Sequence, residues 1–402
     1  MKVTRRSFIA KTSIAGASLA ASAGLPMLPL SKSSPGSDLQ LHEGVWQPPA
    51  FAIIPVVGDG KWIWTEPPKD GSKGYLEPRE FEVTTGINFR GEGYASEVRA
   101  TTVAPLQFPE QEVVDFKIET SGCEAQLLKL NQTAAQLVLA APKIEAGQVV
   151  SAVARYRMKL SKDYRAFSRE SFPADQTPPE KKKRRKNDPP AVDLHFSKQC
   201  LTSSPGISIR DKELKQLSKT IGTDGHPWDL AKKYYEWVWE NIEGVHGKYT
   251  SVKDAIKKRR GDCEERATVF IALCRAAGIP ARLVWVPSHN WAEIGLYDHE
   301  GMPHWIPIHT AAYSWFGWTG AHEVVLQKGD RVNIKARKKT VRLIDDWYRM
   351  RGKLPQMHFS STVKPLATEE GSDPGPGLRE KLQTGRWKLG GDHPSQSAMR
   401  DQ

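Results

Sequence analysis

Gly261, Asp262 and Cys263 open a stretch that leaves the chain little choice of local structure. Asp262 is a good N-cap after a glycine turn, and Ala267, Phe270, Ile271, Cys274 and Ala277 recur at helical spacing on one face. Gly278 and Pro280 stop that helix. Arg282 to Val286 is a β-branched, apolar run that predicts a buried strand, and His289 opens a second strand through Trp291, Glu293 and Ile294. Cys263 is therefore expected on the first turn of a buried helix, where backbone N–H groups and the helix dipole favour its thiolate.

The dipole alone is too weak to make that cysteine reactive. Lowering a thiol from a pKa of ~8.5 to about 6 takes roughly 3.4 kcal/mol, whereas a helix terminus supplies ~0.3–1 and at best ~2. A cationic partner has to provide the rest. His289 is the best candidate, as an imidazolium beside the thiolate that then serves as general acid.

Gly-Asp-Cys at 261–263, Arg-Ala-Ala-Gly-Ile-Pro-Ala-Arg at 275–282, His-Asn-Trp-Ala-Glu at 289–293 and Trp-Ile-Pro-Ile at 305–308 resemble, in order and spacing, the core of the transglutaminase-like superfamily. The resemblance implies a papain-like α+β core whose cysteine attacks an amide carbonyl and passes the acyl group to an amine or to water. It makes Cys263 the nucleophile and His289 its acid/base partner. The third member of the family's triad, an aspartate, falls on His309 here. A neutral His309 accepts a hydrogen bond but stabilises no imidazolium, so slowed rather than abolished chemistry is expected. Glu293 and Asp298 are weaker replacements.

The N-terminus reads as an export signal: Thr4-Arg5-Arg6-Ser7-Phe8-Ile9, a mildly apolar segment from Thr12 to Ala23, and Ala21-Ser22-Ala23 as a cleavage site match a twin-arginine signal over 1–23. The apolar run is shorter than the ~18 residues a membrane span needs. The mature chain is expected to lack a transmembrane helix and to be periplasmic or extracellular. Four cysteines in 402 residues do not make a disulfide scaffold. The formal net charge of +12 includes four cations in the signal and six in the run Lys181 to Lys186, so the remainder is nearly balanced. That argues against a nucleic-acid-binding face.

After a flexible segment at 24–50, residues 51–162 show a period of two. Phe81, Val83, Thr85, Ile87 and Phe89 alternate with polar neighbours, as do Val150, Ala152, Ala154, Tyr156, Met158 and Leu160, predicting an antiparallel β-sandwich. Trp62, Trp64, Tyr75 and Tyr94 are expected to be strand packing. Residues 163–204 read as a proline-rich basic linker, whose Lys181–Lys186 run is either a solvated spacer or an attachment to anionic envelope polymers. The cysteine-bearing domain is assigned 205–345, and 346–402 is expected to be mostly disordered. The fold class is thus α+β, a β-sandwich followed by a papain-like core.

Pro227 to Ile242 predicts a helix with Trp228, Ala231, Tyr235, Val238 and Ile242 on one stripe, and Val252 to Lys258 a shorter one. Oxyanion donors are sought at the Cys263 N–H and at Trp239 or Asn241. Tyr313, Trp315, Phe316 and Trp318 either rim the cleft or cover the sheet. No cofactor is expected; a zinc site through His289, His304 and His309 lacks the usual ligand spacing. The pattern points to an exported cysteine enzyme acting on protein or peptide amides, hydrolysis being favoured over transfer to an amine. The alternative is a catalytically impaired binding or scaffold protein of the cell envelope.

Overall fold

The computed structural model describes residues 73–165, 167–177, 199–245, 249–287, 289–311, 316–319 and 322–366. The export signal, the segment at 24–50, Trp62, Trp64, Lys181–Lys186, Tyr313, Trp315 and residues 367–402 lie outside the described residues.

Six strands come first: β1 (Gly74–Arg90), β2 (Ala95–Ala104), β3 (Gln111–Ser121), β4 (Glu124–Asn131), β5 (Ala134–Ile144) and β6 (Val149–Tyr164). The two alternating runs find each other. β1 and β6 pair antiparallel so that Val83 faces Tyr156, Thr85 faces Ala154 and Phe89 faces Val150, and both inward rows are buried. A one-residue slip would turn both rows to solvent, which pins the register. Against them pack Val98, Ala100 and Val103 of β2 and Leu137, Leu139 and Ala141 of β5. Tyr94, expected to pack, is exposed instead.

The cysteine-bearing unit follows: α1 (Lys212–Ile221), α2 (Pro227–Asn241), β7 (Glu243–Gly244), α3 (Val252–Lys258), β8 (Arg260–Gly261), α4 (Cys263–Ala276), β9 (Ala281–Val286), β10 (His289–Tyr297) and β11 (Pro303–Ile308). α4 is buried all round from Cys263 to Arg275. One side meets Ala281 and Leu283 of β9, Ala292 and Ile294 of β10, and Ile306 and Ile308 of β11; α1, α2 and α3 supply the rest of this core. The helix is central, with more than the single apolar face its spacing suggests.

The two units share a sheet. β12 (Gln327–Lys328) pairs with β9 on one side and β5 on the other, giving the order β11-β10-β9-β12-β5-β2, with β4 also on β5. Trp285 of β9 belongs to the sandwich core. Beneath the join the Lys328 ammonium reaches Glu110 at 2.5 Å and Glu293 at 2.8 Å, and Glu293 also accepts from Arg282 Nε at 2.6 Å.

Two boundaries need correction. After β13 (Val332–Ile334) and β14 (Lys339–Val341), the chain returns to the sandwich as β15 (Trp347–Gly352) on β2 and β16 (Gln356–Pro365) on β1. The expected disorder from 346 therefore fails for these strands: Met357, Phe359 and Val363 pack on the sandwich core. Their one-sided burial was hidden by the polar residues between them. The expected linker at 163–204 also begins too early. Asp163 and Tyr164 finish β6, and Phe172 is buried in the helical core, stacked on Trp228.

Lys328→Met removes the cation shared by two carboxylates at the join. We expect a loss of about 3 kcal/mol, because Glu110 and Glu293 keep their buried charge with one partner fewer. Urea denaturation at neutral pH measures it; a loss below ~0.5 kcal/mol, the range of an ordinary surface substitution, contradicts the ionic account.

Candidate active site

The local structure around Cys263 is built by its neighbours. Asp262 caps α4: its Oδ1 accepts from the Glu264 N–H at 2.8 Å and from the Glu265 N–H at 3.3 Å. Glu265 Oε2 returns the bond by accepting from the Asp262 N–H at 3.0 Å, completing a capping box. Gly261 is required by close approach, since a Cβ there would stand 2.4 Å from the Glu265 Cβ. Cys263 follows as the first helical residue and is 1 % exposed.

His289 is the first residue of β10, and His309 lies directly after β11. The structure brings these two together: their rings stack at 5.8 Å between centroids, with Trp291 4.7 Å from His309. His309 Nε2 meets Thr319 Oγ1 at 3.1 Å, and Thr319 exchanges backbone hydrogen bonds with Asp163 at the end of β6. Cys263 comes to the same end of β10, where Asn290 Nδ2 donates to its Sγ at 3.8 Å.

Asn290 was not singled out from the sequence. It follows directly on His289 at the start of β10, and nothing in that position marks it as a contact of the sulfur. Its Oδ1 is buried without a partner. Of the two side chains considered as oxyanion donors, Asn241 is occupied by the Trp237 carbonyl at 3.0 Å, and Trp239 stacks on Tyr235. The replacements considered for His309 are committed elsewhere. Glu293 holds Arg282 and Lys328, and Asp298 accepts from His304 Nε2 at 2.8 Å and from the N–H groups of Glu300 and Met302. His304 is held by Asp298, and no group of three potential metal ligands occurs among the described residues. Phe316 packs edge-on against Trp228, and Trp318 stacks on Tyr164, so both cover the core.

Burial decides the charge state of the site. It pushes His289 down to about 4, and it holds His309 well below the ordinary histidine range, helped by repulsion from His289. Burial thus disfavours the resting imidazolium expected at His289. A neutral imidazole can still take the thiol proton as the sulfur attacks. Burial pushes the other three thiols up, Cys123 to about 11, Cys200 to about 12 and Cys274 well above its usual value.

The depressed histidine has a consequence for stability. Between pH 6.5 and 4 the unfolded chain binds a proton at His289 that the folded state refuses. The neutral ring's contribution is fully present above pH 6.5 and is lost as pH falls toward 4, by at most about 3 kcal/mol. His309 acts in the same direction. We expect the urea midpoint to fall across this window, and to fall less in His289→Asn; parallel curves for the two proteins would contradict the assignment.

Residues 215–318 match the family model described as the transglutaminase-like superfamily. Among solved structures, the chain is similar to a protein of Cytophaga hutchinsonii described provisionally as a cysteine protease. Identity is 19 % and the TM-score 0.47, over 73 % of this chain and 93 % of that one. It also matches a protein of Parabacteroides distasonis described provisionally as a protease, at 11 % identity and a TM-score of 0.23, over 55 % of this chain and 42 % of that one. No curated protein matches. Residues 215–318 thus form a transglutaminase-like domain within a strand-rich α+β chain.

Proposed function

We propose that the protein is an exported cysteine enzyme that opens amide bonds of proteins or peptides through a thioester on Cys263, with water favoured over an amine as acceptor. The observation that carries this reading is the meeting of the α4 N-terminus with the start of β10, where Asn290 touches the sulfur and His289 stacks on His309. His289 takes the proton from the Cys263 thiol as the Sγ–C bond forms, then gives it to the amine as the C–N bond breaks. Water, deprotonated by His289, next attacks the thioester; the C–S bond breaks, the sulfur leaves and takes the proton back from His289, and the carboxylic acid is released and loses its remaining proton to solvent. The Cys263 N–H and Asn290 Nδ2 are the two donors for the oxyanion.

A second reading, a binding protein on an impaired core, draws on one observation. His309 is neutral and bonded to Thr319, so the site lacks the anion that would steady an imidazolium. His309→Asp separates the two. For an impaired enzyme it raises His289 basicity and the rate by roughly tenfold or more; a binding protein stays inert in either form.

The direct test follows new amino termini released from a mixed peptide library. Cys263→Ala is expected to abolish release, and peptide mapping after iodoacetamide at pH 7 to find Cys263 labelled before Cys123, Cys200 and Cys274. Equal, slow labelling of all four would remove the nucleophile.

A further inference from the structure

Four charged side chains of α4 are buried: Glu264, Glu265, Arg266 and Arg275. Three are satisfied. Glu264 accepts from Arg342 at 2.7 and 3.0 Å, Glu265 serves the capping box and accepts from the Thr250 N–H at 2.7 Å, and Arg275 meets Asp330 at 2.7 Å. Arg266 is the exception. It is 7 % exposed, its Nε has no acceptor, and Nη2 makes one long bond to the Trp239 carbonyl at 3.4 Å. No carboxylate among the described residues pairs with it, whereas the other buried arginines, Arg275 and Arg282, pair with Asp330 and Glu293.

The guanidinium sits over the Trp239 ring, its carbon 4.7 Å from the centroid. A ring face steadies the cation from below but gives no acceptor to the N–H groups at its rim. Keeping a buried guanidinium in that condition costs several kcal/mol unless an anion arrives. Arg266 is three residues after Cys263, so the two side chains share one face of α4 with Cβ atoms about 5–6 Å apart. A thiolate is a single atom and meets one N–H direction. The remaining fork matches the two oxygens of a carboxylate.

We infer that Arg266 is a substrate-binding residue that takes a carboxylate of the peptide substrate next to the scissile carbonyl. This rests on the chemistry proposed for Cys263. The carboxylate is either an acidic side chain or a free carboxyl terminus.

The test compares alkylation of Cys263 by iodoacetate, which carries a carboxylate, with iodoacetamide, its neutral counterpart. An ordinary thiolate reacts more slowly with the anionic reagent because like charges repel. In the native protein we expect the iodoacetate-to-iodoacetamide rate ratio at Cys263 to exceed that of the same protein unfolded in urea by about tenfold, the worth of one charge-assisted hydrogen-bonded contact. Arg266→Gln should return the ratio to the unfolded value, and Arg266→Lys should keep part of it. A mere effect on thiolate formation changes both rates alike and leaves the ratio untouched. N-acetylglutamate α-amide and N-acetylalanine, as competitors, identify a side-chain or a terminal carboxylate as the source. A native ratio equal to the unfolded one, with Cys263 reactive, overturns the inference alone. A Cys263 inert to both reagents overturns the proposed chemistry and the inference with it. The native ratio needs no variant, so a misfolded Arg266→Gln does not blunt the test.

Discussion

The ammonium of Lys328, held between Glu110 and Glu293, is the interaction on which the relation of the two units depends. Glu110 comes from the turn before β3 of the sandwich, and Glu293 from the strand that His289 opens. β12 is only two residues long, too short a ladder to join two sheets by its backbone alone. The charges supply the missing fixity. Since Glu293 also takes Arg282, which lies over the Trp305 ring at 3.9 Å, the network ties β9, β10 and β11 to the sandwich. The end of β10 that carries the histidine is held from below.

That support matters because the site is assembled from distant parts of the chain. α4 brings the thiol, β10 the imidazole and the amide, and the residue after β11 the second imidazole. Each position is set by ordinary local physics: a capping box at Asp262, a hydrogen bond to the Cys263 sulfur at Asn290, a hydroxyl from Thr319 at His309. Burial makes these contacts strong and at the same time keeps both imidazoles uncharged.

The features legible from the sequence were those with strong local signals. Gly261-Asp262 and Gly278 with Pro280 bracket α4, and the alternating rows of β1 and β6 stand out without help. What the sequence hid were long-range matters. β15 and β16 lie 246 to 284 residues from their partners, and nothing in a polar-rich, mixed segment says which edge it completes. Nor does a row of residues reveal that Arg266 lacks the carboxylate that its buried counterparts Arg275 and Arg282 possess, because ion-pair partners are chosen by the tertiary fold. The depth of His289, with Trp291 and His309 packed around it, is likewise set by the tertiary fold.

The return of β15 and β16 also sets an order of events during synthesis. The host sheets are left with open borders along β1 and β2 until the last described residues have been made, by which time the thiol-bearing insert is already complete in sequence. Such distant pairing is slow, and an unfinished strand border invites association with other chains. The insert is thus free to settle first, and the host closes around its two ends, so that a chain interrupted before residue 347 has a finished cysteine-bearing lobe on an open scaffold.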